Sequence, residues 1–168
     1  FEEDELREWE GIFLGYSQTK WVSDRLVFLA GKAGLPITIY RPPLIGGHSI
    51  NGHWNKGDLV QRLLQGCLSL GMIPQIEWEL DLVPVDYVAD AVTSLAWDND
   101  SKGQCFHLHH PRPLMLIDLL SSFLGDGMPL KLVSMDEWLS GISSDVTIPL
   151  YPLKSFFYKK WGADKLTY

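Results

Sequence analysis

Between Gly15 and Ala33 the apolar positions Trp21, Val22, Leu26, Leu29, Ala30 and Ala33 recur at helical spacing. The pattern predicts a helix of about five turns, stopped by Gly31 and Gly34. The next run, Leu35-Pro36-Ile37-Thr38-Ile39-Tyr40-Arg41, is β-rich and ends at Pro42-Pro43, as a short buried strand does. Helix, tight loop and strand make half of a parallel α/β unit. A second helix is predicted from Asp58 as N-cap through Leu59, Leu63, Leu64 and Leu68 to a stop at Gly71. Residues 80–85 read as a strand, and Asp86 caps a helix carrying Val88, Ala89, Ala91, Val92, Leu95 and Ala96. A second parallel strand is expected at 104–109, a helix at 116–124, a short strand near 131–134, and a helix starting at Asp136-Glu137-Trp138. The polar, Gly-rich run containing Gly46-Gly47-His48-Ser49 and Asn51-Gly52-His53 reads as a loop, mobile unless a ligand pins it. No repeat or low-complexity tract interrupts the order, and the strand count is low for a free-standing α/β domain.

Length adds that 168 residues suffice for one domain with its own core. The apolar share of 46% is ordinary, no apolar stretch approaches the ~18 residues of a membrane span, and no charged-then-apolar leader opens the chain. A soluble cytoplasmic protein is therefore expected. A net charge of −7 without any basic run argues against nucleic acid as a partner. Cys67 and Cys105 are isolated in apolar surroundings, which reads as two buried free thiols. Asn99-Asp100-Ser101 matches a glycosylation acceptor, a match that means little without a secretory signal. The strongly acidic residues 1–10 begin abruptly, as in a cut chain.

Candidate chemistry concentrates in Gly15-Tyr16-Ser17-Gln18-Thr19-Lys20 at the start of the first helix. Spacing of i, i+4 puts the Tyr16 phenol and the Lys20 ammonium on one helix face. A neighbouring positive charge favours an ionised phenol, so Lys20 is expected to lower the Tyr16 pKa from its reference of about 10. Tyr16 would then serve as proton donor to a developing oxyanion. The bare spacing equally describes a surface pair, and Ser17 with Lys20 also fits S-x-x-K, though the S-D-N and K-T-G elements that accompany that motif are missing.

Four ordered blocks carry a resemblance: Gly15-Tyr16-Ser17-Gln18-Thr19-Lys20-Trp21-Val22; Ile39-Tyr40-Arg41-Pro42-Pro43-Leu44-Ile45-Gly46; Asp81-Leu82-Val83-Pro84-Val85-Asp86-Tyr87-Val88-Ala89; and Phe106-His107-Leu108. Together they resemble extended short-chain dehydrogenase/reductases, most of all the thioester reductase domains of polyketide synthases, nonribosomal peptide synthetases and carboxylic acid reductases. Fatty acyl-CoA reductases and sugar-nucleotide epimerases or dehydratases share the outline. The resemblance implies an α/β fold, an incomplete Rossmann-like one made of C-terminal strands and helices plus a substrate-binding subdomain. In it, residues 1–45 hold the catalytic helix and following strand, and 46–168 are mainly the subdomain, with returning Rossmann elements near 80–110. It implies that Tyr16 donates to the substrate carbonyl as hydride arrives from NADPH, and that Lys20 holds the nicotinamide ribose. Pro42, Pro43, Leu44 and Ile45 match the segment lying along the nicotinamide. The implied partner is a phosphopantetheinyl acyl or peptidyl carrier protein, its acyl thioester the substrate, with an aldehyde or, after a second cycle, an alcohol as product.

The departure from the family is large. No G-x-G-x-x-G turn with a preceding strand occurs, since Gly15, Gly46-Gly47 and Gly125-Asp126-Gly127 all have the wrong spacing. The Ser or Thr of the family's catalytic triad would lie upstream of Phe1. The chain is accordingly expected to be the C-terminal part of a reductase, inactive alone.

Weaker candidates remain. His48 and His53 could line a substrate channel, and Arg62 could meet a phosphopantetheine phosphate or simply face solvent. His107 and His109 fall on one side of a strand with His110 adjacent, but no carboxylate or thiol lies at ligand spacing, so no metal site is expected. Trp54, Trp78, Trp97, Trp138 and Trp161 fit packing better than an acyl groove. Residues 138–168 are where exposed apolar surface is expected. A non-catalytic substrate-binding or carrier-docking module is the remaining class, and the acidic balance argues mildly against docking to an acidic carrier protein.

Overall fold

The computed structural model describes residues 9, 10, 12, 14–122 and 130–161, with side chains described as far as residue 158. Residues 1–8 of the acidic start, the end of the helix expected at 116–124, Gly125-Asp126-Gly127 and the Trp161 side chain lie outside the described residues. The chain divides into two compact units, one of residues 1–45 and 83–109, the other of 46–82 and 110–168. Both are mixed α/β.

In the first unit, helix α1 (Gly15–Lys32) runs into strand β1 (Ile39–Arg41). The strand is shorter than its β-rich sequence because Leu35 is taken up by the helix end, its N–H donating to the Ala30 carbonyl at 3.1 Å. Residues 37 and 38 are held instead by the Gly103 N–H on the Ile37 carbonyl at 2.7 Å and the Thr38 hydroxyl on the Ser101 carbonyl at 3.0 Å. Gly31 lies in the last turn of the helix, and a Cβ there would come within 2.6 Å of Ile37 Cγ1, so glycine permits the close approach of the helix to the segment leading into β1. Helix α3 (Val85–Trp97) and strand β6 (Cys105–His107) complete this unit with β2 (Leu44–Gly46) and β5 (Leu82–Pro84), which pair with each other. β6 pairs with β1 in parallel, Ile39 opposite Cys105 and Arg41 opposite His107.

Two expectations need correction here. Asp86 is not the cap of α3: Pro84 occupies that position without a side-chain bond, and Asp86 sits in the first turn, where its charge still complements the helix dipole. The strand expected at 80–85 is broken at Asp81 into β4 (Glu79–Leu80) and β5, because the Asp81 carboxylate accepts the His110 N–H at 2.8 Å.

The second unit carries most of the core. Helix α2 (Leu59–Leu70) has the caps its sequence predicts: Asp58 accepts from the Val60 and Gln61 N–H groups at 2.8 and 3.3 Å, and Gly71 takes φ 64°. Strands β3 (Met72–Pro74) and β8 (Lys131–Val133) pair in parallel, while β4 and β7 (Leu114–Met115) pair antiparallel. Helices α4 (Leu116–Ser121), α5 (Met135–Ser144) and α6 (Lys154–Trp161) follow, α5 beginning one residue before the expected Asp136 because Ser134 caps it through the Glu137 N–H. Of the region expected to be exposed and apolar, Val146 and Tyr158 are exposed, but most of its large apolar side chains among the described residues are core. Trp138, Leu139, Ile142, Leu150 and Phe157 are all buried, with Trp138 and Phe157 meeting edge-to-face at 5.2 Å. No helix among the described residues is long and apolar enough to cross a membrane.

Candidate active site on helix α1

Tyr16 and Lys20 lie in the first turns of α1, on the face their spacing predicts. The Lys20 ammonium stands over the Tyr16 ring, 5.6 Å from its centroid, so the two meet as cation and π-face. Tyr16 is 72% exposed, which leaves its hydroxyl open to a reactant. The helix start is shaped locally: the Gln18 side chain donates to the Ile12 carbonyl at 2.8 Å, and the Thr19 hydroxyl donates to the Tyr16 carbonyl at 2.7 Å.

Further along the same face, Asp24 receives Arg41 through two bonds, Nε to Oδ2 and Nη2 to Oδ1, both 2.9 Å. Arg41 Nη1 lies 3.3 Å from His107 Nε2. A guanidinium only donates, so this bond requires His107 Nε2 as acceptor. The His107 ring stacks on His109 at 5.4 Å with an interplanar angle of 4°. Sequence reasoning passed over Asp24 and Arg41. The available signal was that Asp24 continues the Tyr16–Lys20 face at the next i+4 position.

Arg41 closes β1, and Pro42 and Pro43 follow it directly, with Leu44 and Ile45 opening β2. The two prolines have no N–H, so from them only carbonyls can meet a ligand, while Leu44 and Ile45 have both groups. All of these residues belong to the first unit.

His48, His53 and Arg62 belong to the second. The two histidines share one turn, the His48 N–H donating to the His53 carbonyl at 2.9 Å. Asn51 and Asn55 each accept a backbone N–H two residues on at 2.9 Å, so the Gly-rich run is internally bonded. Arg62, on α2, keeps a buried Nε with no hydrogen-bond partner, as does the Trp54 indole nitrogen. The tryptophans are dispersed, Trp138 fully inside and Trp97 85% exposed. No group of three or more His, Cys, Asp or Glu able to hold a metal occurs among the described residues. Cys67 and Cys105 are buried and form no disulfide, and burial pushes the Cys67 thiol up to about 12, which the neighbouring Trp138 only partly offsets.

Known proteins share this site's stretch of chain. An NAD-binding family described as Male sterility protein matches residues 1–92, which hold Tyr16, Lys20 and Pro42 to Ile45. The chain belongs to this family. Among the relatives of this chain is a linear gramicidin synthase of Brevibacillus parabrevis, one of whose chains is 35% identical over 131 residues. That match takes in 78% of this chain and 3% of the synthase chain. The large subunit of L-2-aminoadipate reductase of Eremothecium gossypii is 35% identical over 148 residues, 85% of this chain and 11% of the reductase. Among solved structures, the terminal R domain of the myxalamid PKS-NRPS pathway superposes with TM-score 0.78 at 40% identity. It covers 84% of this chain and 36% of that one. The chain thus spans a small part of these two relatives and about a third of the R domain it resembles.

Proposed function

We propose that this chain carries the catalytic helix of an NADPH-dependent reductase that releases a carrier-protein-bound acyl thioester as an aldehyde. The observation that carries the reading is the Tyr16–Lys20 pair, with the ammonium 5.6 Å from the ring centroid and the phenol exposed at the helix start. Support comes from the names of two relatives at 35% identity, a gramicidin synthase and an aminoadipate reductase.

The residues fit a nicotinamide cofactor at this end of the fold. Lys20 makes no hydrogen bond or ion pair among the described residues, so its ammonium can take a ribose hydroxyl. Leu44 and Ile45 offer backbone groups to a carboxamide. Bound NADPH would supply a hydride to the thioester carbon. Tyr16 then donates its proton to the carbonyl oxygen as negative charge develops there, giving a hemithioacetal. Loss of the thiol from that adduct leaves the aldehyde, and a second reduction would give the alcohol. Arg62 is assigned to the phosphate of the phosphopantetheine arm on the ground of its buried, unpartnered Nε, a donor that an anion would satisfy. His48 and His53 are assigned to the substrate side of the same unit.

The 168 residues contain no glycine-rich dinucleotide turn, so this chain by itself should bind NADPH weakly. Calorimetric titration measures this, and micromolar binding would refute it. In the reductase that contains this chain, Tyr16→Phe should abolish turnover while NADPH affinity is retained. Unchanged turnover removes Tyr16 from the mechanism.

A further inference from the structure

We infer that the Asp24–Arg41 ion pair is a positioning device for the Tyr16–Lys20 dyad, tying the helix that bears it to the strand end that leads into Pro42 and Pro43. The inference rests on the reductase reading above. Asp24 lies one i+4 step beyond Lys20 and two beyond Tyr16, so all three share a face of α1. Arg41 is the last residue of β1, directly before the segment assigned to the nicotinamide.

The physical need for such a device lies in the packing of α1. The helix is 18 residues long and has no buried residue. Val22, Leu26 and Leu29 are 47%, 63% and 51% exposed, and the inward side of the helix is a half-buried row of Trp21, Asp24, Phe28 and Gly31 in which Asp24 is the charged member. Beside half-buried Trp21 and Phe28, the close approach of Gly31 to Ile37 near the C-terminal end and the Asp24–Arg41 pair towards the middle tie the helix to β1 and the residues that lead into it. The pair suits the task. Its side chains are only 12% and 14% exposed, so solvent screens it little, and the two parallel bonds of the guanidinium fork fix direction as well as distance. Arg41 is steadied from the other side by His107 on β6, itself stacked on His109.

Asp24 and Arg41 are given no contact with substrate or cofactor. They act through where they place Tyr16 and Lys20. A displacement of about 1 Å at the reacting atoms is enough for a loss on the order of 100-fold in rate.

The test compares Asp24→Asn, Arg41→Lys and Tyr16→Phe in the full-length reductase, with kcat expressed per NADPH-binding site. Asp24→Asn should lower kcat per site by about 10–100-fold with KM for the acyl thioester within about twofold. Arg41→Lys keeps the charge and loses the fork, and should lie between it and the parent. A purely structural pair would instead reduce the number of NADPH sites and leave kcat per site unchanged, which would overturn the inference. Should Asp24→Asn not fold, Arg41→Lys decides by the same criterion. Loss of turnover in Tyr16→Phe beside unchanged kcat per site in Asp24→Asn removes the positioning role alone. Unchanged turnover in Tyr16→Phe removes the reductase reading and this inference with it.

Discussion

Helices α1 and α2 both show an apolar stripe in sequence, but only α2 is set into a core. Over 12 residues α2 buries Val60, Leu63, Leu64, Gly66 and Cys67, whereas α1, with 18 residues, buries none. The same contrast separates α5, which buries Trp138, Leu139 and Ile142, from α3, which buries none. Helical stability in proteins comes mainly from packing an apolar face, so the helices of the second unit are held by burial. Those of the first depend on a few specific contacts. The proposed catalytic residues therefore sit on a helix with no fully buried side chain. Substitutions in the second unit should act on stability, and those around α1 on geometry.

The sharpest way to break this comparison is a large truncation in each unit, followed by denaturant unfolding. Trp138→Ala should cost about 3–5 kcal/mol, since it empties a site sealed by Phe157. A loss under about 1 kcal/mol would mean the second unit is not organised around it. Next in size are paired glycine substitutions. At Gly66 a Cβ would lie 2.4 Å from Leu150 Cγ and Cδ1, and Leu150 is fully buried, so Gly66→Ala should destabilise by about 1–3 kcal/mol. At Gly31 the obstacle is the end of a half-buried Ile37 side chain, which can move, and the gain in helix propensity of about 1 kcal/mol offsets the clash. Equal losses at the two sites would erase the distinction.

The buried thiol supplies a pH arm. Because the Cys67 pKa is raised in the folded state to about 12 from an ordinary 9.0, the neutral thiol favours folding fully below 9.0. That contribution is lost progressively as pH rises through this window, with a slope of at most ~1.4 kcal/mol per pH unit. Cys67→Ala should lower stability at neutral pH by a constant amount and flatten the alkaline limb of the unfolding curve. An unchanged alkaline limb would show that Cys67 does not titrate with unfolding. The smallest effect is expected on α1, where Leu26→Ala should stay within about 0.5 kcal/mol because Leu26 is 63% exposed. A core-sized loss there would show that α1 is packed against something that buries Leu26.

Local chemistry explains which elements could be read in advance. Both ends of α2 were legible because Asp58 and Gly71 act on backbone groups within a few residues of themselves. The break at Asp81 was not, since the N–H that claims its carboxylate belongs to His110, 29 residues away. Pro84 took the cap position from Asp86, a choice of register that no local rule decides. The face shared by Tyr16 and Lys20 followed from helical spacing alone. Their neighbour Asp24 was on that face too, but its partner Arg41 is 17 residues distant and reaches it only through the turn from α1 into β1.

Sequence alone determined the family, through ordered blocks of residues, and the existence and order of most helices and strands, because periodicity, caps and turn residues act over a few positions of chain. It did not determine burial. The apolar stripe of α1 stays largely exposed, while Trp138, Leu139, Ile142, Leu150 and Phe157, in the stretch 138–168 where exposed apolar surface was expected, close the core of the second unit. Burial depends on which face of another element is available to meet a stripe, and so do the Asp24–Arg41 fork and the orphaned Arg62 Nε. Those are properties of chain segments brought together from a distance, and only the tertiary structure decides them.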